Sequence, residues 1–210
     1  MSFPVNKDLN HSYFHKIDTE QKAYWLGFIL GDGCLWHNRP SIEIGLNIKD
    51  ELHIDKFAKA IGWRNKKQYK ADRNAVTMII SSREMYNDLV NLGLTSRKSF
   101  TATWPKIYKK YERHMLRGLF DADGTITNHS YWKDKPYASW ALVGTKECLE
   151  NAKRILSITN EITPDHSIWR IKKNGTPGVF KIFTILYRGS TVWLDRKLEK
   201  FKEFYPLFNE

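Results

Sequence analysis

Two nine-residue stretches of this chain repeat one another: WLGFILGDG over residues 25–33 and LRGLFDADG over residues 116–124. Glycine recurs at the third and ninth positions and aspartate at the eighth, so Gly27, Asp32 and Gly33 match Gly118, Asp123 and Gly124 at an offset of 91 residues. Such a repeat predicts two related halves that each contribute one carboxylate. If each stretch ends a helix, its third and seventh positions lie one turn apart on the same face. Those positions hold Gly27 and Gly31 in the first copy and Gly118 and Ala122 in the second. Small residues there let two helix backbones meet, as small-xxx-small pairs do in membranes. The closing glycine is expected to adopt the left-handed turn that ends a helix, which places Asp32 and Asp123 at two C-terminal ends. A carboxylate there faces the negative end of the helix dipole. Two brought together repel unless a divalent cation accompanies them, and oxygen ligands open to water and phosphate suit Mg²⁺.

The same order of elements follows each motif. Asp18, with Gln21 three residues on, is the expected N-cap of a first motif helix over residues 19–31. A hairpin follows, and in its second strand Ile42, Ile44, Leu46 and Ile48 alternate with Ser41, Glu43, Gly45, Asn47 and Lys49, the period of a half-buried strand. Asp50 can cap a helix through ELHIDKFAKAIG; a second hairpin (residues 66–70 and 75–81) and a helix over 83–92 complete the half. The second half reads as a motif helix from residue 107, a hairpin over 125–143 with a polar tip at 131–135, and a helix over 146–156. A hairpin of 167–173 and 179–187 then turns through Asn174-Gly175, and a last helix covers 191–204. An α+β fold of two pseudo-symmetric αββαββα halves is expected, with residues 1–97 and 107–210 joined by a linker over 98–106.

Both copies resemble the motif of the LAGLIDADG homing endonucleases, LRGLFDADG closely and WLGFILGDG less so, with Leu30 at the sixth position and Gly31 at the seventh. The eighth-position aspartate, which binds the catalytic metal in that family, stands in both. The resemblance implies two antiparallel sheets forming a saddle over double-stranded DNA, with the motif helices at the central interface. It also implies metal at Asp32 and Asp123, aided by the backbone carbonyls of Gly31 and Ala122. Mg²⁺ is the implied ion, with Mn²⁺ substituting and Ca²⁺ supporting binding without cleavage. Each half of a family member generally brings a basic residue to the scissile phosphate. TSRKSFTATWP makes Lys98 the first choice here, and the Arg196-Lys197 pair of WLDRKLEKFKEF echoes Arg97-Lys98 and nominates Lys197.

Composition points the same way. The 34 basic and 23 acidic residues among 210 leave a net charge of +11, which favours a polyanionic partner. Cys34 and Cys148 share no ligand spacing, which sets zinc and a disulfide framework aside and fits a reducing compartment. No apolar run is long enough to span a membrane, and neither an export signal nor an Arg-rich presequence is read at the N-terminus. A cytoplasmic or organelle-matrix protein is expected. The N-terminal methionine, without a splicing-type cysteine, argues against an intein-embedded domain.

If one side of each sheet packs on helices, the other can meet a groove. That side is expected to offer Ser41, Glu43, Asn47 and Lys49 from the first hairpin, then Lys66, Lys67, Gln68, Lys70, Arg73 and Thr77 from the second. The second half would add His129, Lys133, Lys135, Tyr137 and Ser139, followed by Arg170, Lys172, Lys173 and Lys181. Lysine and arginine at hairpin tips suit phosphates, whereas Asn, Gln and Glu on a strand suit base edges. Trp25, Trp140 and Trp193 belong in the core, and no histidine neighbours the two aspartates as in an HNH nuclease. The resemblance implies metal-dependent cleavage of both strands at a long asymmetric DNA site by a monomer, leaving short 3′ overhangs. A maturase that binds intron RNA and a nuclease-dead DNA-binding regulator are the alternatives on the same fold.

Overall fold

The computed structural model describes residues 8–95, 101–132 and 135–203, and for 128–132 and 135–136 the backbone alone. The first half runs α1 (Glu20–Asp32), β1 (Gly33–Trp36), β2 (Ser41–Asn47), α2 (Glu51–Ile61), β3 (Gln68–Lys70), β4 (Ala75–Ser81) and α3 (Arg83–Asn91). The second runs α4 (Glu112–Asp123), β5 (Gly124–Trp132), β6 (Lys135–Gly144), α5 (Lys146–Leu156), β7 (Ile162–Asp165), β8 (Ile168–Asn174), α6 (Thr176–Tyr187) and α7 (Asp195–Lys202). Each half forms a four-stranded antiparallel sheet, ordered β1-β2-β4-β3 and β5-β6-β8-β7, so the two share one topology. The expected αββαββα order holds, with one further helix at the end of the second half.

Strand alternation decides what each sheet buries. Ile42, Ile44 and Leu46 on β2 and Val76, Met78 and Ile80 on β4 point into the core. They share it with Ile54, Phe57 and Ile61 of α2 and Met85 and Leu89 of α3. In the second half Trp140 and Leu142 of β6 and Ile171 of β8 do the same beneath α5 and α6. Trp25 and Trp140 are core residues as expected, while Trp193 is only partly buried.

Three local expectations are corrected. Thr19, whose hydroxyl accepts from the Lys22 N–H, caps α1 in place of Asp18. Ile48 leaves the strand for a short 3₁₀ turn and is exposed, and Lys49 goes with it. The segment 179–187 is helical, and the second-half hairpin is β7–β8, turning at His166 and Ser167. Pro177 fits the first turn of α6, and buried Thr176, Val179, Ile182 and Leu186 recur at helical spacing. Gly175, at φ 93°, starts that helix and donates its N–H to the Ala138 carbonyl, so Asn174-Gly175 is a strand-to-helix junction.

Candidate nuclease site

The two motif helices pack against each other at the centre of the molecule, and their glycines permit it. A Cβ on Gly27 would overlap the Met115 carbonyl, and one on Gly118 would overlap the Tyr24 carbonyl. One turn further on, a Cβ on Gly31 would collide with the Ala122 methyl and lie 3.1 Å from Asp123 Oδ2. The closing glycines serve differently from expectation. Gly33 and Gly124 are extended, at φ −75° and −85°, and lead straight from helix into strand. They are required because a Cβ on Gly33 would stand 2.7 Å from the Ile29 carbonyl oxygen and one on Gly124 would strike the Phe120 ring. This tight junction sets Asp32 and Asp123 at the adjoining C-terminal ends of α1 and α4, each half-buried.

Lys197 reaches the same place from α7. Its side chain is buried, its ammonium donates to the Gly124 carbonyl, and it stands 5.0 Å from the centre of the Phe120 ring. Burial, with a smaller contribution from Arg196, pushes the Lys197 ammonium down to about 8, while Asp121, Asp32 and Asp123 pull the other way. Lys98 lies outside the described residues.

Beneath the site lies a polar network that the motif pattern did not predict. Asp121, fully buried, accepts from Tyr24 Oη at 2.7 Å, from Tyr187 Oη and from the Leu194 N–H at 2.8 Å. Because Tyr24 donates to Asp121, its oxygen is left to accept from His53 Nε2 at 2.9 Å. Burial raises the Asp121 carboxyl above its usual range, against the hydrogen bonds from Tyr187 and Tyr24. Arg117, also fully buried, donates to the carbonyls of Val192 and Leu186 and to Glu20 Oε1, at 3.0, 2.8 and 2.7 Å. An aspartate and an arginine at helical spacing within an apolar motif were the sequence signal for this network.

Register assigns the open face of each sheet, because directly paired residues in antiparallel strands share a face. On the first sheet it carries Trp36, Ser41, Glu43, Asn47, Gln68, Lys70 and Thr77. Glu43 binds Trp36 Nε1 at 2.8 Å and lies 3.9 Å from Lys70 Nζ. Ser41 and Thr77 share this face but are buried between longer neighbours. Lys66 is exposed in the loop before β3, and Arg73 is exposed in the turn after it, beside Asp72. Lys67 points elsewhere, held by Glu51 and Asp55 of α2 at 2.5 and 2.7 Å.

On the second sheet the open face carries Tyr137, Ser139, Arg170 and Lys172, joined by Thr125, Thr127 and Asn174, which were not anticipated. The alternation of Thr125 and Thr127 with buried Ile126 could have revealed the threonines. A groove lined by Asp123, Thr127, Arg170 and Lys172 runs from the motif aspartate across this face. Ser139 is buried within it, and Arg170 is paired with Asp165 at 2.7 Å. Two expected contacts are misplaced. Lys173 pairs with Trp140 on the opposite face and lies over Gly178 of α6, and Lys181 stands on α6 itself, which packs on that covered face. Lys133 lies outside the described residues, and the side chains of His129 and Lys135 lie outside them too.

No family model matches the chain. A stretch of 119 residues is 29% identical to part of the replication factor C small subunit of Methanocaldococcus jannaschii, taking in 53% of this chain and 6% of that protein. The chain thus spans a small fraction of the curated relative it matches. Among solved structures it is similar to the LAGLIDADG meganuclease I-AabMI bound to uncleaved DNA, at TM-score 0.61 and 12% identity over 89% of each chain. It is similar to the LAGLIDADG homing endonuclease I-LtrWI bound to target DNA at TM-score 0.60 and 11% identity, covering 95% of this chain and 91% of that one. I-SmaMI bound to an uncleaved DNA target in the presence of calcium ions gives 0.61 and 10%, covering 89% and 91%. The chain has the fold of these LAGLIDADG nucleases. Among its described residues, no helix is long and apolar enough to cross a membrane.

Proposed function

We propose that this chain is a site-specific, double-strand DNA endonuclease of the LAGLIDADG homing type that acts as a monomer. The observation that carries the reading is the meeting of Asp32 and Asp123 at the ends of two close-packed helices, with the Lys197 ammonium beside them. Two carboxylates, with the backbone carbonyls of Gly31 and Ala122 at hand, fit Mg²⁺, which keeps several waters and shares its sphere with substrate phosphate. When bound, the ion would supply Lewis acidity and a more acidic water at the scissile phosphate.

The remaining work falls to side chains. Asp32 and Asp123 would hold the ion. Lys197, whose ammonium lies at the ends of the motif helices, would stabilise charge developing on a phosphate oxygen. Arg170 and Lys172 on one sheet and Lys70 and Arg73 on and beside the other would neutralise backbone phosphates, while Gln68, Asn47, Thr127 and Asn174 would reach base edges. The two open faces differ at nearly every paired position, so the preferred site should be asymmetric; the resemblance to the LAGLIDADG family further implies short 3′ overhangs. Mn²⁺ should substitute for Mg²⁺, and Ca²⁺ should support binding without cleavage.

Selection of cleavable sites from a randomised duplex library in Mg²⁺ tests the reading. Recovery of one long asymmetric site, cut on both strands, supports it. A protein that cuts nothing in the selection and prefers RNA to duplex DNA overturns it in favour of splicing assistance.

A further inference from the structure

The segment 191–194, the last part of the link between α6 and α7, has no regular structure, yet its backbone is held at four successive residues. The Thr191 N–H donates to Glu20 Oε1 at 2.7 Å, Arg117 Nε donates to the Val192 carbonyl at 3.0 Å, and the Leu194 N–H donates to Asp121 Oδ2 at 2.8 Å. Lys56 of α2 adds a bond to the Trp193 carbonyl at 3.1 Å. Three of these four partners sit on the two motif helices. The last of the strapped residues begins α7: the Leu194 carbonyl accepts from the N–H groups of Lys197 and Leu198, at 3.0 and 3.2 Å. Lys197 therefore leaves the first turn of a helix whose start is pinned to Asp121, and its ammonium ends on the Gly124 carbonyl, three residues beyond that same aspartate.

We propose that Asp121 is a positioning residue for Lys197: through the Leu194 N–H it fixes the start of α7, and so the place of the ammonium at the ends of the motif helices. Buried polar groups of this kind specify one arrangement because leaving any of them unpaired is costly. Here the carboxylate satisfies two tyrosine hydroxyls and one backbone N–H at once, and Arg117 with Glu20 secures the other end of the strap. The sixth position of the first motif is Leu30, so that motif carries no carboxylate at the place of Asp121. The consequence for cleavage rests on the nuclease reading: loosening Asp121 should slow the strand served by Lys197 and spare the other.

The test has one arm without DNA or metal and one with both. In the first, metal-free protein is treated with an amine-acetylating reagent, and acetylation of Lys197 and Lys153 is followed by peptide mass spectrometry. Asp121→Asn should raise the Lys197 rate by about tenfold through local opening of the strap, with Lys153 unchanged. In the second, strand-resolved cleavage of a selected site by Asp121→Asn should accumulate a nicked duplex. Unchanged protection of Lys197 overturns the proposal, as does equal slowing of both strands. If Asp121→Asn does not fold, Leu194→Pro, which deletes the N–H that Asp121 holds and leaves the carboxylate with its two tyrosines, is read by the same two measurements. Failure of the wild-type protein to cut any site would remove the nuclease reading while leaving the acetylation arm to decide the strap.

Discussion

Gly118 rests directly on the backbone carbonyl of Tyr24, leaving no room for even one methyl group between the two motif helices. The obstacle is backbone, which cannot swing aside as a flexible side chain does. Gly118→Ala should therefore cost about 3 kcal/mol or more, at the upper end of overpacking changes, and Gly27→Ala should match it. Gly45 supplies the contrast, because a Cβ there would sit 3.5 Å from Thr77 Oγ1 in ordinary contact. Urea unfolding of the three variants checks this, and a Gly45→Ala loss as large as that of Gly118→Ala would contradict it.

Asp32 and Asp123 carry a different duty from the glycines beside them. Each is half-buried at a helix C-terminus, where the dipole opposes a negative charge. Asp32→Asn and Asp123→Asn relieve that opposition but remove a charge that favours the buried Lys197 ammonium, so stability should change little, while cleavage falls by about 10²–10³-fold or more, as expected when a preorganised electrostatic group is lost. Gel shifts in Ca²⁺ should show binding retained. Full cleavage by both variants would remove these carboxylates from the metal site.

His53 should make the fold acid-sensitive. Burial, reinforced by Lys56 and Arg196, pushes its imidazole down to about 3, whereas an unfolded histidine titrates near 6.5. The folded form keeps His53 neutral, so between pH 6.5 and about 3 the unfolded chain binds the extra proton and stability falls by about 1.4 kcal/mol per pH unit from this group. Below that window the contribution levels off. Phenylalanine suits the site, where His53 lies among the rings of Tyr24, Trp25 and Phe28. Unfolding measured from pH 7.5 to 4 should show a shallower acid slope for His53→Phe than for the wild type, and parallel slopes would exclude the histidine.

The contrast between Asp32 and Asp121 also shows what the sequence could disclose. The motif pair announced two helices, their contact glycines and two carboxylates, because those features depend on spacing within one element. Gly33 and Gly124 were legible as obligatory glycines, yet their reason was not: the constraint is the approach of Ile29 and Phe120, and not a left-handed backbone. The stretch 179–187 was misread because β-branched and aromatic residues on every side satisfy either period. Only burial of Val179, Ile182 and Leu186 against the sheet decides for helix. One error carried the other with it, since the hairpin assigned to Asn174-Gly175 brought Lys181 to the groove side. Asp121, written plainly in the motif, was unreadable as a buried anchor because its partners Tyr187 and Leu194 lie 66 and 73 residues away.

Lys172 and Lys173 are neighbours in sequence on opposite faces of β8, and that alternation can be measured as salt dependence. Lys172 pairs with Ala141 on the open face and is exposed, whereas Lys173 pairs with Trp140 and packs its stem over Gly178. If the open face meets DNA, removing one phosphate-neutralising charge lowers the magnitude of the slope of log affinity against log salt by about 0.9. Lys172→Ala should show that decrease with stability unchanged. Lys173→Ala should keep the wild-type slope and lose stability instead, because its aliphatic stem covers apolar surface at the start of α6. Fluorescence anisotropy at several salt concentrations, paired with thermal unfolding, separates the two, and a reversal of the pattern would place the DNA on the helical side of the sheet.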